Sequence, residues 1–132
     1  NASSLIFSKD VFQKNIIMIN KHSGQIPKYM GSYPLFWSFY NSEDKFFITI
    51  NFIELAIDEG EVIYEKAFST NNISLINCYF RSFIYSTYVI TNLLRKPILT
   101  SVKKKIKQSS MKYRKPNQKD VDNFFKKKLS FF

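Results

Sequence analysis

The stretch KFFITINFIELAIDEGEVIYEKAF, residues 45–68, decides the fold. Phe46, Ile48, Ile50 and Phe52 alternate with Phe47, Thr49 and Asn51. Beyond Gly60, Val62, Tyr64, Lys66 and Phe68 alternate with Ile63, Glu65 and Ala67. A period of two is the pattern of a strand with two unlike faces. Gly60 offers the left-handed conformation that a tight hairpin connection needs. The competing reading makes 52–68 a helix, drawing on its Glu and Ala content. Alternation favours the hairpin, and the neighbouring segments are read around it.

Upstream, DVFQKNIIMINK (10–21) is expected to be a helix, with Asp10 and Gln13 at capping-box spacing and Phe12, Ile16 and Ile19 on one face. QIPKYMGSYP (25–34) is a loop punctuated by Pro and Gly. PLFWSFYN (34–41) is expected to be a further strand, joined to the next by a short turn at 42–44. Downstream, a buried helix is expected from Asn77 to Arg95, interrupted by Pro97. ILTSVKKKIKQ (98–108) follows as a second helix with Ile98, Val102 and Ile106 on one stripe. After Pro116, Val121, Phe124, Phe125 and Leu129 keep the helical period of a short amphipathic helix.

The fold class this implies is α+β: an antiparallel β-meander of three to four strands packed against flanking helices, with a basic helical C-terminal segment. Residues 1–9 are expected to be disordered or expression-derived, since the chain starts at Asn1. Residues 10–107 form a single globular α+β domain, and 108–132 a basic C-terminal segment with a short amphipathic helix. A length of 132 residues and 45% apolar content suit one domain with its own core.

Chemistry is sparse along the chain. His22 is the only histidine and Cys78 the only cysteine, so no internal disulfide forms. His22 is expected to face solvent and Cys78 to be a buried thiol. No phosphate loop, dinucleotide fingerprint or nucleophile elbow is present. No catalytic residue, metal ligand or cofactor is therefore assigned. Glu54, Asp58, Glu59, Glu61 and Glu65 form the densest acidic group, which reads as a solvated hairpin or as a candidate Mg²⁺ or acid–base site.

Charge is the strongest asymmetry. Residues 1–91 carry a net charge of −1 and residues 92–132 a net charge of +11, so the excess lies in the last third. Lys103, Lys104, Lys105, Lys107, Lys112, Arg114, Lys115, Lys126, Lys127 and Lys128 are the candidate contacts to nucleic acid or an acidic partner. Lysine outnumbers arginine seventeen to three, which favours backbone contact over base reading. Tyr29, Tyr33, Trp37 and Tyr113 are the candidate protein-interface residues, core packing being the alternative for Trp37.

These features lead to a non-enzymatic protein-interaction domain of a larger nuclear, eukaryotic protein with an AT-rich coding sequence. Its partners would be another protein, the DNA or RNA backbone or, less favoured, an anionic membrane. A phospholipid head-group module is the alternative, and a small metal-dependent hydrolase using the acidic hairpin is the third reading.

Overall fold

A computed structural model describes residues 16–55, 58–95, 112–127 and 129–131. Its elements are β1 (Ile19–His22), α1 (Pro34–Tyr40), β2 (Lys45–Phe52), β3 (Val62–Ser69), α2 (Leu75–Arg95) and α3 (Gln118–Lys126). The fold is α+β: a three-stranded antiparallel sheet in the order β1-β2-β3, with three helices. The 45–68 stretch is the expected pair of strands, in register from Lys45↔Ser69 to Asn51↔Val62, with one irregularity between Ile50 and Asn51.

Central β2 is covered on both faces. Phe46, Ile48 and Ile50 join one core with Leu35, Phe36, Trp37 and Phe39 of α1, Leu75, Cys78 and Val89 of α2, and Phe124 of α3. Thr49 and Asn51 are also buried. Near them the loop after β1 sets Ile26 and Met30 against Val62 in a second small cluster.

Gly60 acts differently from the expectation. It has no left-handed backbone; a Cβ there would lie 1.8 Å from the Phe52 carbonyl oxygen, so close approach demands glycine. The left-handed residue of this connection is Asp58, at φ 57°.

Two element expectations are corrected. Residues 34–40 are helical, not extended. Pro34 begins the helix, where its fixed φ suits the first turn. Leu35 through Phe39, Ser38 among them, are all buried, so the helix is covered all round and shows no period to read. Residues 19–21, expected as the end of a helix, instead pair with His22 as a strand, from Ile19↔Phe52 to His22↔Thr49. Four residues hydrogen-bonded to β2 override the weak helical periodicity that precedes them. The N-terminal part of that expected helix lies outside the described residues.

Helix α2 buries Leu75, Cys78, Ser82, Ser86 and Val89, spaced by three or four. Its first free N–H groups are satisfied by Ser130 and Phe131 carbonyls, at 2.9 and 3.0 Å from the Leu75 and Ile76 nitrogens. Burial pushes the Cys78 thiol up to about 11, an inert structural cysteine. Helix α3 starts in a capping box: the Asp120 N–H donates to Asn117 Oδ1 at 3.0 Å and the Asn117 N–H to Asp120 Oδ2 at 2.8 Å. The basic helix expected at 98–108 lies outside the described residues.

Candidate active site where the first strand meets the β2–β3 connection

Alternate residues of a strand share a face, so Asn20 and His22 of β1 stand side by side. Register sets them opposite Asn51 and Thr49 of β2. Asp58 comes to the same place from the β2–β3 connection. Asn20 Nδ2 donates to Asp58 Oδ1 at 3.2 Å and approaches Asn51 Oδ1 at 3.5 Å. His22 Nδ1 lies 3.5 Å from Asp58 Oδ1, and both side chains are under a tenth exposed.

The histidine's tautomer follows from its other nitrogen. His22 Nε2 sits 2.5 Å from the Tyr29 carbonyl oxygen, which can only accept, so Nε2 carries the proton. Burial holds the imidazole below its ordinary pKa, against the opposing pull of Asp58. The neutral ring therefore carries no proton on Nδ1, the nitrogen that lies nearest Asp58. A carboxamide donor and a neutral imidazole thus both lie within 3.5 Å of one carboxylate oxygen. Such a set can polarise a carbonyl and move a proton from an attacking nucleophile.

The surrounding loop is built to hold this geometry. Asp58 Oδ2 accepts from the Gly31 N–H at 2.7 Å. Thr49 Oγ1 donates to the Gly24 carbonyl at 2.7 Å, fixing the chain just past His22. Gly31 is itself held by the C-terminal segment: the Tyr113 N–H donates to the Met30 carbonyl and the Ser32 N–H to the Tyr113 carbonyl, both at 2.8 Å. A Cβ on Gly31, which has φ +94°, would fall 2.4 Å from that Tyr113 oxygen. Lys21, between Asn20 and His22, lies on the other face, where Nζ donates to Ser23 Oγ and burial brings its pKa down to about 8.

His22 is thus buried, which corrects the expectation of a solvent-facing residue; a tight loop folds over the strand end. Tyr29 and Trp37 are likewise buried rather than exposed anchors. Tyr113 explains this, stacking on Tyr29 with ring centroids 5.2 Å apart and lying 5.3 Å from the Trp37 ring. Tyr33 stays about half exposed.

Several basic candidates already have partners inside the chain. Lys112 pairs with Glu59 at 2.8 Å and Arg114 with Asp120 at 2.6 Å. Lys127 Nζ donates to the Tyr40 carbonyl at 2.8 Å. Lys115 and Lys126 are exposed. Lys103, Lys104, Lys105, Lys107 and Lys128 lie outside the described residues.

Among the described residues no group of three or more His, Cys, Asp or Glu could hold a metal ion, and no helix is long and apolar enough to cross a membrane. A surface cavity bounded by Phe39, Glu43, Asn72, Asn77 and Ser130 shares no residue with the Asn20–His22–Asp58 cluster.

No family model matches the sequence. A curated relative, methionyl-tRNA formyltransferase of Pelotomaculum thermopropionicum, is 37% identical over 49 residues, covering 37% of this chain and 16% of that protein. The fold is similar to solved formyltransferases. Methionyl-tRNA formyltransferase from Clostridium thermocellum matches at TM-score 0.64 with 18% identity, over 92% of this chain and 57% of that one. A sugar N-formyltransferase from a Shewanella species matches at TM-score 0.67 with 18% identity, over 91% and 55%. The formyltransferase PseJ from Anoxybacillus kamchatkensis, solved with a formamido sugar nucleotide and tetrahydrofolate, matches at TM-score 0.63 with 20% identity, over 82% and 56%. The chain spans little more than half the length of these structures and a sixth of the curated relative.

These likenesses overturn the expectation of a non-enzymatic interaction domain, together with its membrane and hydrolase alternatives. The proteins matched are enzymes of formyl transfer. The eukaryotic and nuclear assignments fall too, because those relatives are bacterial. Charge in the last third was weighed without the partners that Lys112, Arg114 and Lys127 have within the chain. The site itself had a signal in the sequence: Asn20 and His22 are two apart at the end of an apolar run, and Asp58 stands two before Gly60. Reading 10–21 as a helix put Asn20 in that helix and His22 just past its end, which hid the pair.

Proposed function

We propose that this chain carries the formyl-transfer centre of an enzyme that moves a formyl group from a reduced-folate donor to a primary amine. The single observation that supports this reading is the buried Asn20–His22–Asp58 cluster, set in a fold similar to that of formyltransferases. The donor set fits the chemistry. A formyl carbonyl needs a hydrogen-bond donor at its oxygen, and an attacking amine needs a base to take the proton it sheds.

A formylated reduced folate supplies an activated one-carbon carbonyl when bound. Asn20 Nδ2 donates to the formyl oxygen, where negative charge develops as the amine attacks. His22 receives the amine's proton on Nδ1, while the Tyr29 carbonyl fixes the ring through Nε2. Asp58 stabilises the resulting imidazolium and orients the Asn20 amide. The new bond joins the acceptor nitrogen to the formyl carbon, the donor's carbon–nitrogen bond breaks, and the proton passes to the departing nitrogen.

The test is transfer of ¹³C-formyl from 10-formyltetrahydrofolate to two acceptor classes, nucleotide-linked amino sugars and methionyl-tRNA, followed by mass spectrometry. Transfer to either acceptor, lost on His22→Asn, supports the reading. A folded protein that transfers formyl to neither acceptor overturns it.

A further inference from the structure

Among the described residues, helix α2 leaves one face bare. Phe80, Phe83, Ile84, Thr87, Tyr88, Thr91 and Leu94 are all exposed. The five large apolar residues among them are 61% (Phe80), 69% (Phe83), 68% (Ile84), 65% (Tyr88) and 75% (Leu94) exposed. Phe80, Ile84, Thr87, Thr91 and Leu94 are spaced four, three, four and three apart, which is the heptad spacing of a helix–helix seam. Phe83 and Tyr88 flank that seam. The opposite side of the helix is already spent on the core through Leu75, Cys78, Ser82, Ser86 and Val89.

We propose that this seam is the interface of a homodimer in which two copies of α2 pack antiparallel about Thr87. Three features select a second copy as the occupant. The spacing reads nearly the same in both directions around Thr87, so Phe80 of one copy meets Leu94 of the other, as an isologous two-fold contact requires. The seam carries no charge in a chain of net charge +10, so pairing buries no ionised group; Arg81 and Arg95 stand beside it. The area also suffices. Large side chains exposed to this degree offer roughly 600 Å² per copy, hence about 1,200 Å² in all, at the threshold of a stable interface.

The hydroxyl at the centre of the seam has its own partner. Thr87 Oγ1 already donates to the Phe83 carbonyl at 3.0 Å within its own helix. Its methyl is left to face the partner.

Sedimentation velocity of the purified protein from about 1 to 100 μM tests the proposal, with circular dichroism as the control for folding. The expected result is a concentration-dependent species of twice the monomer mass. Ile84→Glu and, separately, Thr87→Glu place a charge in the seam and are expected to weaken association at least about tenfold, with secondary structure unchanged. Both positions are exposed in the single chain, so neither variant disturbs the core. A monomer at 100 μM, or a dimer indifferent to both substitutions, overturns the proposal.

Discussion

His22 Nδ1 lies 3.5 Å from Asp58 Oδ1, and the two residues arrive there from different parts of the sheet. The histidine ends the edge strand, and the carboxylate sits on a left-handed residue of the β2–β3 connection. Their closeness makes the local chemistry sensitive to proton concentration and to the backbone that holds Asp58.

The first prediction concerns pH and stability. Burial lowers the pKa of His22 from its ordinary value of 6.5. A group with a depressed folded-state pKa contributes stability that is present above the unfolded value and is lost as pH falls through the folded one. The melting temperature is therefore expected to drop as pH is lowered below about 6.5. His22→Asn is expected to flatten that drop. Calorimetry at pH 7.5 and pH 5 on both proteins measures it, and equal slopes would remove the buried imidazole from the account.

The second concerns Asp58. Asp58→Asn keeps a residue tolerant of the left-handed backbone and an oxygen that can accept from the Gly31 N–H. It is expected to melt within a few degrees of the parent and to lose roughly 10²–10⁴-fold in formyl-transfer rate. Asp58→Ala removes the acceptor and the local tolerance together, and is expected to cost about 2–4 kcal/mol in chemical denaturation as well.

The third concerns the glycine seat under the C-terminal segment. Gly31→Ala forces a Cβ to 2.4 Å from the Tyr113 carbonyl oxygen at φ +94°. It is expected to destabilise by about 2–4 kcal/mol. Ser32→Ala, next in sequence and exposed, is expected to be neutral within about 0.5 kcal/mol. Urea denaturation of the pair decides whether the clash, rather than any change in this loop, is responsible.

The fourth concerns Tyr113, which inserts an aromatic ring between the C-terminal segment and the core. Tyr113→Ala removes contacts with Tyr29 and Trp37 and is expected to cost about 2–4 kcal/mol. Trp37 is the only tryptophan, so its emission should shift to longer wavelength as water reaches the ring. An unshifted spectrum would mean that Tyr113 does not shield it.

How much of this was legible depended on whether local pattern and tertiary environment agreed. Strands β2 and β3 could be read because Ile48, Ile50 and Phe52 alternate with Thr49 and Asn51, and Val62, Tyr64 and Phe68 continue the period of two beyond Gly60. Helix α2 and the last helix could be read because their apolar spacing survives in water-facing sequence. Helix α1 could not, since Leu35 to Phe39 are buried on every side and burial erases period. Strand β1 is too short, at four residues, for alternation to outweigh the apolar residues before it.

The sequence by itself determined the alternation that makes the central hairpin, the helical period of Val121, Phe124 and Phe125 in the last helix and the concentration of lysine after residue 92. Tertiary structure alone decided that Asn20, His22 and Asp58 form one site, because their closeness comes from an antiparallel ladder and a turn rather than from spacing along the chain. It also decided that Tyr113, read from sequence as an interface residue, packs on Tyr29 and Trp37, and that Arg114, read as a binding cation, pairs with Asp120. A stacked ring and a paired guanidinium look like exposed recognition groups until the surfaces they meet have been folded into place.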